Sequence, residues 1–306
     1  MTAALGLLAA CAAPAVAPPR PATPPTPPVA EAAPPPPSPE SAAARSYYAQ
    51  IQQALLSQGL MRTDGGGTDT PYTDRMLAET FLDIALHDEY QPGTGGLVAS
   101  GGAPTTLRRW AGPVRVGLRF GASVSSELRA TDTARVASFL ARLSQVTGHP
   151  IRLDDQNPNF MLHIVTEDER RALGPAIQAA LPGIGAGDVA GLTQMPRTTY
   201  CAVLAQSRGQ GGVYTRAFAV VRAEHPDLLR LSCIHEEIAQ GLGLPNDSPR
   251  ARPSIFNDDE EFALLTRMDE DMLRILYNPA LRPGMTLDEA RPIVFDLAAR
   301  IAGGAS

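Results

Sequence analysis

Proline is spread unevenly along this chain of 306 residues, and its distribution divides the chain into a proline-rich segment and a segment of ordinary composition. Thirteen of the 29 prolines fall before Arg45, which leaves 16 for the rest of the chain. A proline-rich segment with few large apolar side chains favours extended polyproline II and cannot bury a core. Residues 12–45 are therefore predicted to be a disordered Pro/Ala-rich linker. Residues 46–306 are long enough to fold as a single globular domain.

Composition excludes two classes of function. The chain has 26 basic and 32 acidic residues, a formal net charge of −6, and no segment concentrates its basic residues into a stripe. Because nucleic-acid binding depends on such a stripe to neutralise phosphates, we expect no nucleic-acid partner. No stretch after Cys11 reaches 18 consecutive apolar residues. The body of the chain is therefore not expected to cross a bilayer.

Residues 1–11 read MTAALGLLAAC and resemble a bacterial lipobox that ends at Cys11. The resemblance implies a lipoprotein signal-like segment, cleavage before Cys11 and lipidation of its thiol. An acyl chain holds a soluble domain on a membrane by burying methylenes, at about 0.8 kcal/mol each. The expected location is the bacterial cell envelope, lipid-anchored and facing the periplasm. No Lys or Arg precedes the apolar core, so a misassigned Met1 or an Ala-rich terminus with an incidental cysteine stays open.

Two cysteines, Cys201 and Cys233, remain once Cys11 is assigned to lipid. An even pair in an oxidising compartment is a disulfide candidate, and the sequence therefore predicts a bond between them. Two buried free thiols are the alternative, because the sequence does not supply the Cα separation that the bond requires.

The first part of the predicted domain, residues 46–102, carries helical periodicity and then a glycine-rich run. Apolar residues recur at helical spacing over residues 46–60. Thr73 is a suitable N-cap for a second helix, which the apolar spacing carries to about Glu89. Residues 93–102 are rich in glycine and are predicted to form a mobile loop.

The second part, residues 103–306, alternates between strand and helix signals. A long helix is predicted over residues 128–146, with Gly148 just beyond its C-terminus. The predicted strands are 114–120, 151–153, 160–165, 200–205 and 217–221. Because strands and helices alternate irregularly, the sequence predicts an α+β domain with a mixed sheet of about five strands packed against helices.

A helix that starts near Pro226 carries the most unusual pattern in the chain. Its predicted apolar stripe is Leu231, Ile234, Ile238 and Leu242. Its opposite half, predicted to be a solvated polar face, is Cys233, Glu236, Glu237 and Gln240. His235 lies nearer the apolar stripe, so we predict a packing or hydrogen-bonding role for it rather than metal binding.

The spacing from Glu236 to Asn246 resembles the metzincin zinc-peptidase signature H-E-x-x-H-x-x-G-x-x-H, with all three histidines replaced. The resemblance implies a zincin-like core, Glu237 at the position of the general base, and Glu236, Gln240 and Asn246 at the ligand positions. Those three residues offer oxygen donors, which suit hard divalent cations rather than zinc. We therefore expect degenerate ligand positions and no cofactor, with a hard divalent cation as the alternative.

Three further runs resemble a specific bacterial family, the domain of unknown function 2927, whose members include lipoproteins. The runs are residues 233–247, residues 254–258 and the segment from Leu276 to Met285. The family has no established activity, so the resemblance implies a fold and a cellular location rather than a reaction.

Three functions are compatible with these patterns. The first is an envelope-tethered lipoprotein with a catalytically degenerate zincin-like domain that binds a peptide, glycan or protein partner. The second is an envelope metallohydrolase, a peptidase, that uses Glu237 with a non-zinc or unconventional metal site. The third is a structural lipoprotein without a defined cleft. The loss of the zinc ligand set favours the first.

Overall fold

A computed structural model describes residues 36–90, 97, 99–209, 211–257 and 259–303. These residues belong to one compact unit, Pro34–Ser306. The predicted lipidation site Cys11 and residues 12–35 of the predicted linker lie outside the described residues.

Helix α1, Pro39–Ser57, corrects the predicted domain boundary at residue 46. Pro39 occupies the first helical turn, and the Ser38 side chain accepts a hydrogen bond from Ser41 N, two features that start a helix. Ser41 is buried, and its Oγ donates to Glu224 Oε1 over 2.6 Å. The folded part therefore includes residues 39–45, because the proline-rich composition gives way to helix-forming residues at Glu40.

Eight further helices lie in the described part of the chain. They are α2 (Asp74–Ala85), α3 (Ser126–Thr147), α4 (Glu167–Arg171), α5 (Gly174–Ala180), α6 (Ala186–Thr193), α7 (Asp227–Gly243), α8 (Arg267–Leu276) and α9 (Leu287–Ala302). The strands are β1 (His87–Tyr90), β2 (Ala99–Pro104), β3 (Arg109–Trp110), β4 (Val114–Phe120), β5 (Ile151–Leu153), β6 (Phe160–Val165), β7 (Cys201–Ser207) and β8 (Val213–Arg222). The α+β class is confirmed.

The main sheet has six strands, against about five predicted. Strands β5, β4, β6 and β8 are parallel neighbours in that order, and the short β3 is parallel to β8. Strand β7 pairs antiparallel with the other edge of β8, since Tyr214 pairs with both Trp110 of β3 and Ser207 of β7. Strand β7 thus lies at an edge of the sheet, with no second strand partner among the described residues.

Strands β1 and β2 correct the prediction for residues 86–102. Helix α2 ends at Ala85 rather than near Glu89, and His87–Tyr90 instead pairs antiparallel with Ala99–Pro104. The glycine-rich run, predicted as a mobile loop, supplies part of β2 because glycine tolerates the positive φ of 67° at Gly101. Residues 93–96 and 98 of that predicted loop lie outside the described residues.

Helices cover both faces of the main sheet. Successive side chains of each strand point to opposite sides, so one strand can contribute to two cores. Phe160, Leu162 and Ile164 of β6 belong to the larger core, together with residues of α2, α3, α7, α8 and α9. Val165 and the β8 residues Phe218 and Val220 face a smaller core built with α5 and α6. The sequence patterns gave no sign of α4, α5 and α6.

Helix α7 is confirmed where the spacing predicts a helix, but its polar half is not solvated. Glu237 is 2% exposed and Gln240 is 6% exposed. The helix packs against β7 and β8 on one side and contacts α3 on another. A helix buried on nearly all sides carries its polar residues into an interior site, and that burial sets the chemistry described below.

Candidate functional site

The predicted disulfide is present and joins β7 to α7. The Cα atoms of Cys201 and Cys233 lie 5.9 Å apart. Within the described residues, one group of potential metal ligands has all its ligand atoms within 4.8 Å of one another, and it consists of Cys201, Cys233 and Glu236. Because its two sulfurs are bonded to each other, the group offers a metal no thiolate.

Two cavities lie side by side along strand β7. The first has a volume of about 430 Å³ and lies beside Cys201 and Ala202. The second has a volume of about 280 Å³ and continues along residues 203–206. Both are lined by Glu89, Tyr90 and Gln240. We call the two together the β7 cleft.

Glu237 is a buried carboxylate of the β7 cleft. Its side chain lines the larger cavity, and its Oε2 atom has no hydrogen-bond partner in the described part of the chain. Burial, followed by the negative charges of Glu89 and Asp247, raises the pKa of Glu237 well above its usual value. The fold therefore disfavours the charged form of Glu237 relative to that of an exposed glutamate.

Burial and neighbouring acids also raise the pKa values of Glu236 and Tyr90. Burial raises the pKa of Glu236 strongly, and Asp247 and Glu237 add like-charge repulsion. Burial also raises the pKa of the Tyr90 hydroxyl, with a further contribution from the charge of Glu89. The cleft thus concentrates acidic groups whose charged forms are disfavoured in the free protein.

Gln240 bridges two of these acids. Its Nε2 atom donates to Asp247 Oδ1 over 3.2 Å and to Glu89 Oε2 over 3.4 Å. Glu89 belongs to β1, so the amide connects α7 to β1. An amide nitrogen that donates to carboxylates stabilises their charged forms, which partly offsets the repulsion among them.

Asn246 does not join the cleft, although the spacing places it at a ligand position. Its Nδ2 atom donates to the backbone oxygen of Asp83 over 2.9 Å, and its side chain is 7% exposed. After α7 the backbone turns at Gly243, which has a φ of 129°. Asp247, the next residue along the chain, faces the acids of the cleft instead. The structure therefore brings together Glu236, Glu237 and Gln240 and separates Asn246 from them.

Sequence reasoning missed several residues of the cleft. Glu89 and Tyr90 were assigned to the end of a helix, and no alternation in His87–Tyr90 indicates a strand. Asp247 lies inside the run that resembles the family, but nothing in its spacing distinguishes it from Asn246. Glu260 belongs to the acidic run 258–261, which the sequence predicts as a solvated loop or helix start rather than a cation site, and it lines the larger cavity.

His235 has the packing role predicted for it. Its ring stacks on Phe139, with 3.8 Å between ring centroids. Its Nδ1 atom accepts a hydrogen bond from Leu265 N over 3.2 Å. Burial and the charge of Arg142 lower the pKa of His235 to about 3, so the ring stays neutral as its acceptor role requires.

The fold and the cleft define an α+β protein in which a disulfide ties an edge strand to a buried acidic helix. The chain belongs to the family described as "Protein of unknown function (DUF2927)", whose model matches residues 74–296, more than two thirds of the chain. The match confirms the family resemblance drawn from the three runs. No significant match to a curated protein or to a solved structure was found.

None of the described helices combines the length and the apolar character needed to cross a bilayer. The longest, α3, has 22 residues but carries charged side chains throughout.

Proposed function

We propose that this protein is an envelope-tethered lipoprotein whose zincin-like domain is catalytically degenerate and holds an extended segment of a protein partner in the β7 cleft. The observation that carries the proposal is the position of β7, an edge strand antiparallel to its neighbour, along two adjoining cavities. An exposed strand edge offers backbone N–H and C=O groups to which an extended segment can add as a further strand.

The element order supports the zincin-like interpretation. A strand, a long helix and further strands precede the motif helix α7, as in the N-terminal half of the metzincin fold that the spacing of α7 resembles. Residues 203–207 of β7 are partly exposed, and Glu89 and Tyr90 of β1 line the same cleft. A segment laid along β7 would therefore be enclosed on two sides.

Binding rather than hydrolysis is favoured by the donor set of the motif. Gln240 uses its amide on Glu89 and Asp247, and Asn246 uses its amide on α2. The three ligand positions thus do not converge on one point. Glu237 keeps the position of a general base, but a general base needs an activated water, and the motif supplies no converging ligands to hold one.

A peptidase is the second candidate, and a single observation favours it. Glu237 is buried in the cleft with Oε2 unpaired among the described residues, as expected of a carboxylate kept free to take a proton. In that case Glu237→Gln abolishes peptide cleavage, whereas the preferred proposal predicts no cleavage by either protein.

The lipid tether rests on the lipobox-like residues 1–11 and is tested separately. Metabolic labelling of bacterial cells with an alkyne analogue of palmitate should label the expressed chain. Replacing Cys11 by alanine should remove the label and release the protein from the membrane fraction. Equal labelling of both proteins would overturn the assignment of Cys11.

Peptide selection tests the cleft. Random heptapeptides displayed on phage are selected against the full chain, and hydrogen exchange is then measured with and without a selected peptide. We expect slower exchange of the amides in residues 201–207. Methylation of alternate backbone nitrogens in the peptide should abolish binding, because strand addition depends on main-chain hydrogen bonds.

Two variants locate the binding. Ala205→Tyr fills the smaller cavity, which Ala205 lines, and should abolish selection and protection. Ala280→Tyr places the same ring on an exposed position outside the cleft and should change neither. Peptides that protect other segments, or that bind Ala205→Tyr as well as the natural protein, would refute the cleft as the binding site.

A further inference from the structure

We infer that the segment bound in the β7 cleft presents an arginine or lysine side chain, which enters the larger cavity and pairs with its carboxylates. This inference rests on the proposed function and narrows it to one chemical class of partner.

The ionisable groups that line the larger cavity are acidic, so any charge they carry has one sign. Five carboxylates from three separate parts of the chain line it, namely Glu89, Glu236, Glu237, Asp259 and Glu260. No arginine or histidine is among the described residues that line it. An electrostatic site of this kind is complementary to a cation.

Some acids of this protein that are buried or partly buried have cationic neighbours, whereas Glu224 and Asp269 are held by hydroxyl and backbone groups. Asp132 pairs with Arg230 over 2.7 Å, and Glu167 pairs with Arg170 over 2.6 Å. The partly buried Glu261 pairs with both Arg62 and Arg252. A cationic side chain of a ligand would add a charge pair of this kind to the cleft.

Glu237 provides the second, independent observation. Its side chain is 98% buried and lines the cavity, yet Oε2 has no hydrogen-bond partner in the described structure. Nearly all buried polar atoms in folded proteins are paired, so an orphaned carboxylate oxygen on a residue that lines a cavity indicates a place for a donor. A guanidinium or ammonium group supplies that donor as a charge-assisted hydrogen bond.

The geometry favours a long side chain over a metal ion. A hard cation needs six or more oxygens converging at about 2.0–2.6 Å. The group of three ligand atoms within 4.8 Å that the described residues contain includes both disulfide sulfurs. A guanidinium can instead contact carboxylates spread over several ångströms, while its apolar stem packs on Leu55, Tyr200 and Ala202 in the same cavity.

The chain itself offers an unusual tool for the test, because all 26 of its basic residues are arginines and it contains no lysine. A carbodiimide activates a carboxyl group, and an amine then displaces the urea to form an amide. No side-chain amine of this protein therefore competes with a peptide lysine for its activated carboxyl groups.

The experiment compares three pools of acetylated, amidated heptapeptides that match the seven residues of β7 in length. The central residue is lysine in the first pool, norleucine in the second and glutamate in the third. Binding to the full chain is followed by fluorescence anisotropy at low and high salt. We expect the lysine pool to bind at least about tenfold more tightly than the norleucine pool, since removing a desolvated charge pair typically has an effect of that order.

Variants identify the groups responsible. Glu237→Gln and Glu260→Gln should each reduce the preference for lysine over norleucine. Glu79→Gln, which removes an exposed carboxylate from α2 outside the cleft, should leave that preference unchanged. Carbodiimide coupling of the lysine pool, mapped by mass spectrometry, should join the peptide to Glu236, Asp259 or Glu260.

The outcomes separate the two proposals. Equal binding of all three pools along β7 would overturn the inference and leave the cleft as a peptide site. No binding of any pool would count against the proposed function itself. Binding of calcium, magnesium or manganese, measured by calorimetry and lost in Glu237→Gln but not in Glu79→Gln, would replace the cationic side chain by a metal ion.

Discussion

Cys201, at the start of the edge strand β7, is bonded to Cys233 in the first half of the buried helix α7. The bond connects the strand that borders the cleft to the helix that supplies its acids. The spacing between β7 and α7 along the cleft is therefore fixed covalently as well as by packing.

Removing the disulfide should weaken the fold without creating a metal site. The two cysteines are separated by 32 positions, and closing a loop of that length stabilises a protein by about 3–4 kcal/mol on the chain-entropy model. The double variant Cys201→Ser, Cys233→Ser should lower the free energy of unfolding by that order in urea titrations. An unchanged urea midpoint, compared with the oxidised natural protein, would contradict a structural role for the bond.

Replacing Glu237 by glutamine should stabilise the free protein, and more so at high pH. The pKa of Glu237 is raised in the folded state, so ionisation disfavours folding once the pH rises above its usual range near 4.5. A neutral glutamine removes that effect. The gain in the free energy of unfolding should be larger at pH 8 than at pH 5, as measured by urea denaturation.

The control for that prediction is Glu79→Gln, because Glu79 is an exposed carboxylate paired with Arg75. It should change stability little at either pH. A loss of stability in Glu237→Gln at pH 8 would mean that the Glu237 carboxylate is compensated in the free protein.

The buried pair of Arg230 and Asp132 should be among the most sensitive contacts of the fold. Arg230 Nε lies 2.7 Å from Asp132 Oδ2, and both side chains are nearly inaccessible, at 4% and 1% exposed. Asp132→Ala leaves a buried guanidinium with fewer partners and should lower the free energy of unfolding by about 3–5 kcal/mol. The double variant Asp132→Leu, Arg230→Met should lose less, and a larger loss would show that the pair is net stabilising.

Two glycines with positive φ should respond differently to alanine. At Gly243 a Cβ atom would lie 2.2 Å from the backbone oxygen of Arg108, whereas at Gly148 it would meet nothing within 4 Å. Gly148→Ala should cost about 1–2 kcal/mol, the usual penalty of a left-handed conformation. Gly243→Ala should cost about 3–5 kcal/mol, because a backbone clash is added to the strain. Similar urea midpoints for the two variants would contradict the clash.

The elements that the sequence predicts correctly are those with a strong period. Residues 114–120 alternate apolar and polar side chains, and they form β4 with the predicted bounds. Helix α3 covers the predicted residues 128–146, and Gly148 ends it with a φ of 64°. In both cases the side-chain pattern reflects which face is buried, so the local signal and the tertiary environment agree.

The missed elements lack such a period. Helices α4, α5 and α6 have five to eight residues each, which is too short for an apolar stripe to repeat clearly. The cleft was predicted only through α7, since Glu89 and Glu260 approach it from distant parts of the chain. The polar half of α7 was predicted to be solvated because a helical wheel shows which residues share a face, but not whether a second layer covers that face.

The cleft draws Glu89 from β1 and Glu237 from α7, almost 150 positions later, with Cys201 of β7 between them. No fragment that omits any of these elements retains the complete set of cleft residues, so ligand affinity and global unfolding are thermodynamically linked. A ligand present at a hundred times its Kd would add about 2.7 kcal/mol to the free energy of unfolding. A thermal-shift screen of the full chain would therefore report on occupancy of the cleft without any assay of activity.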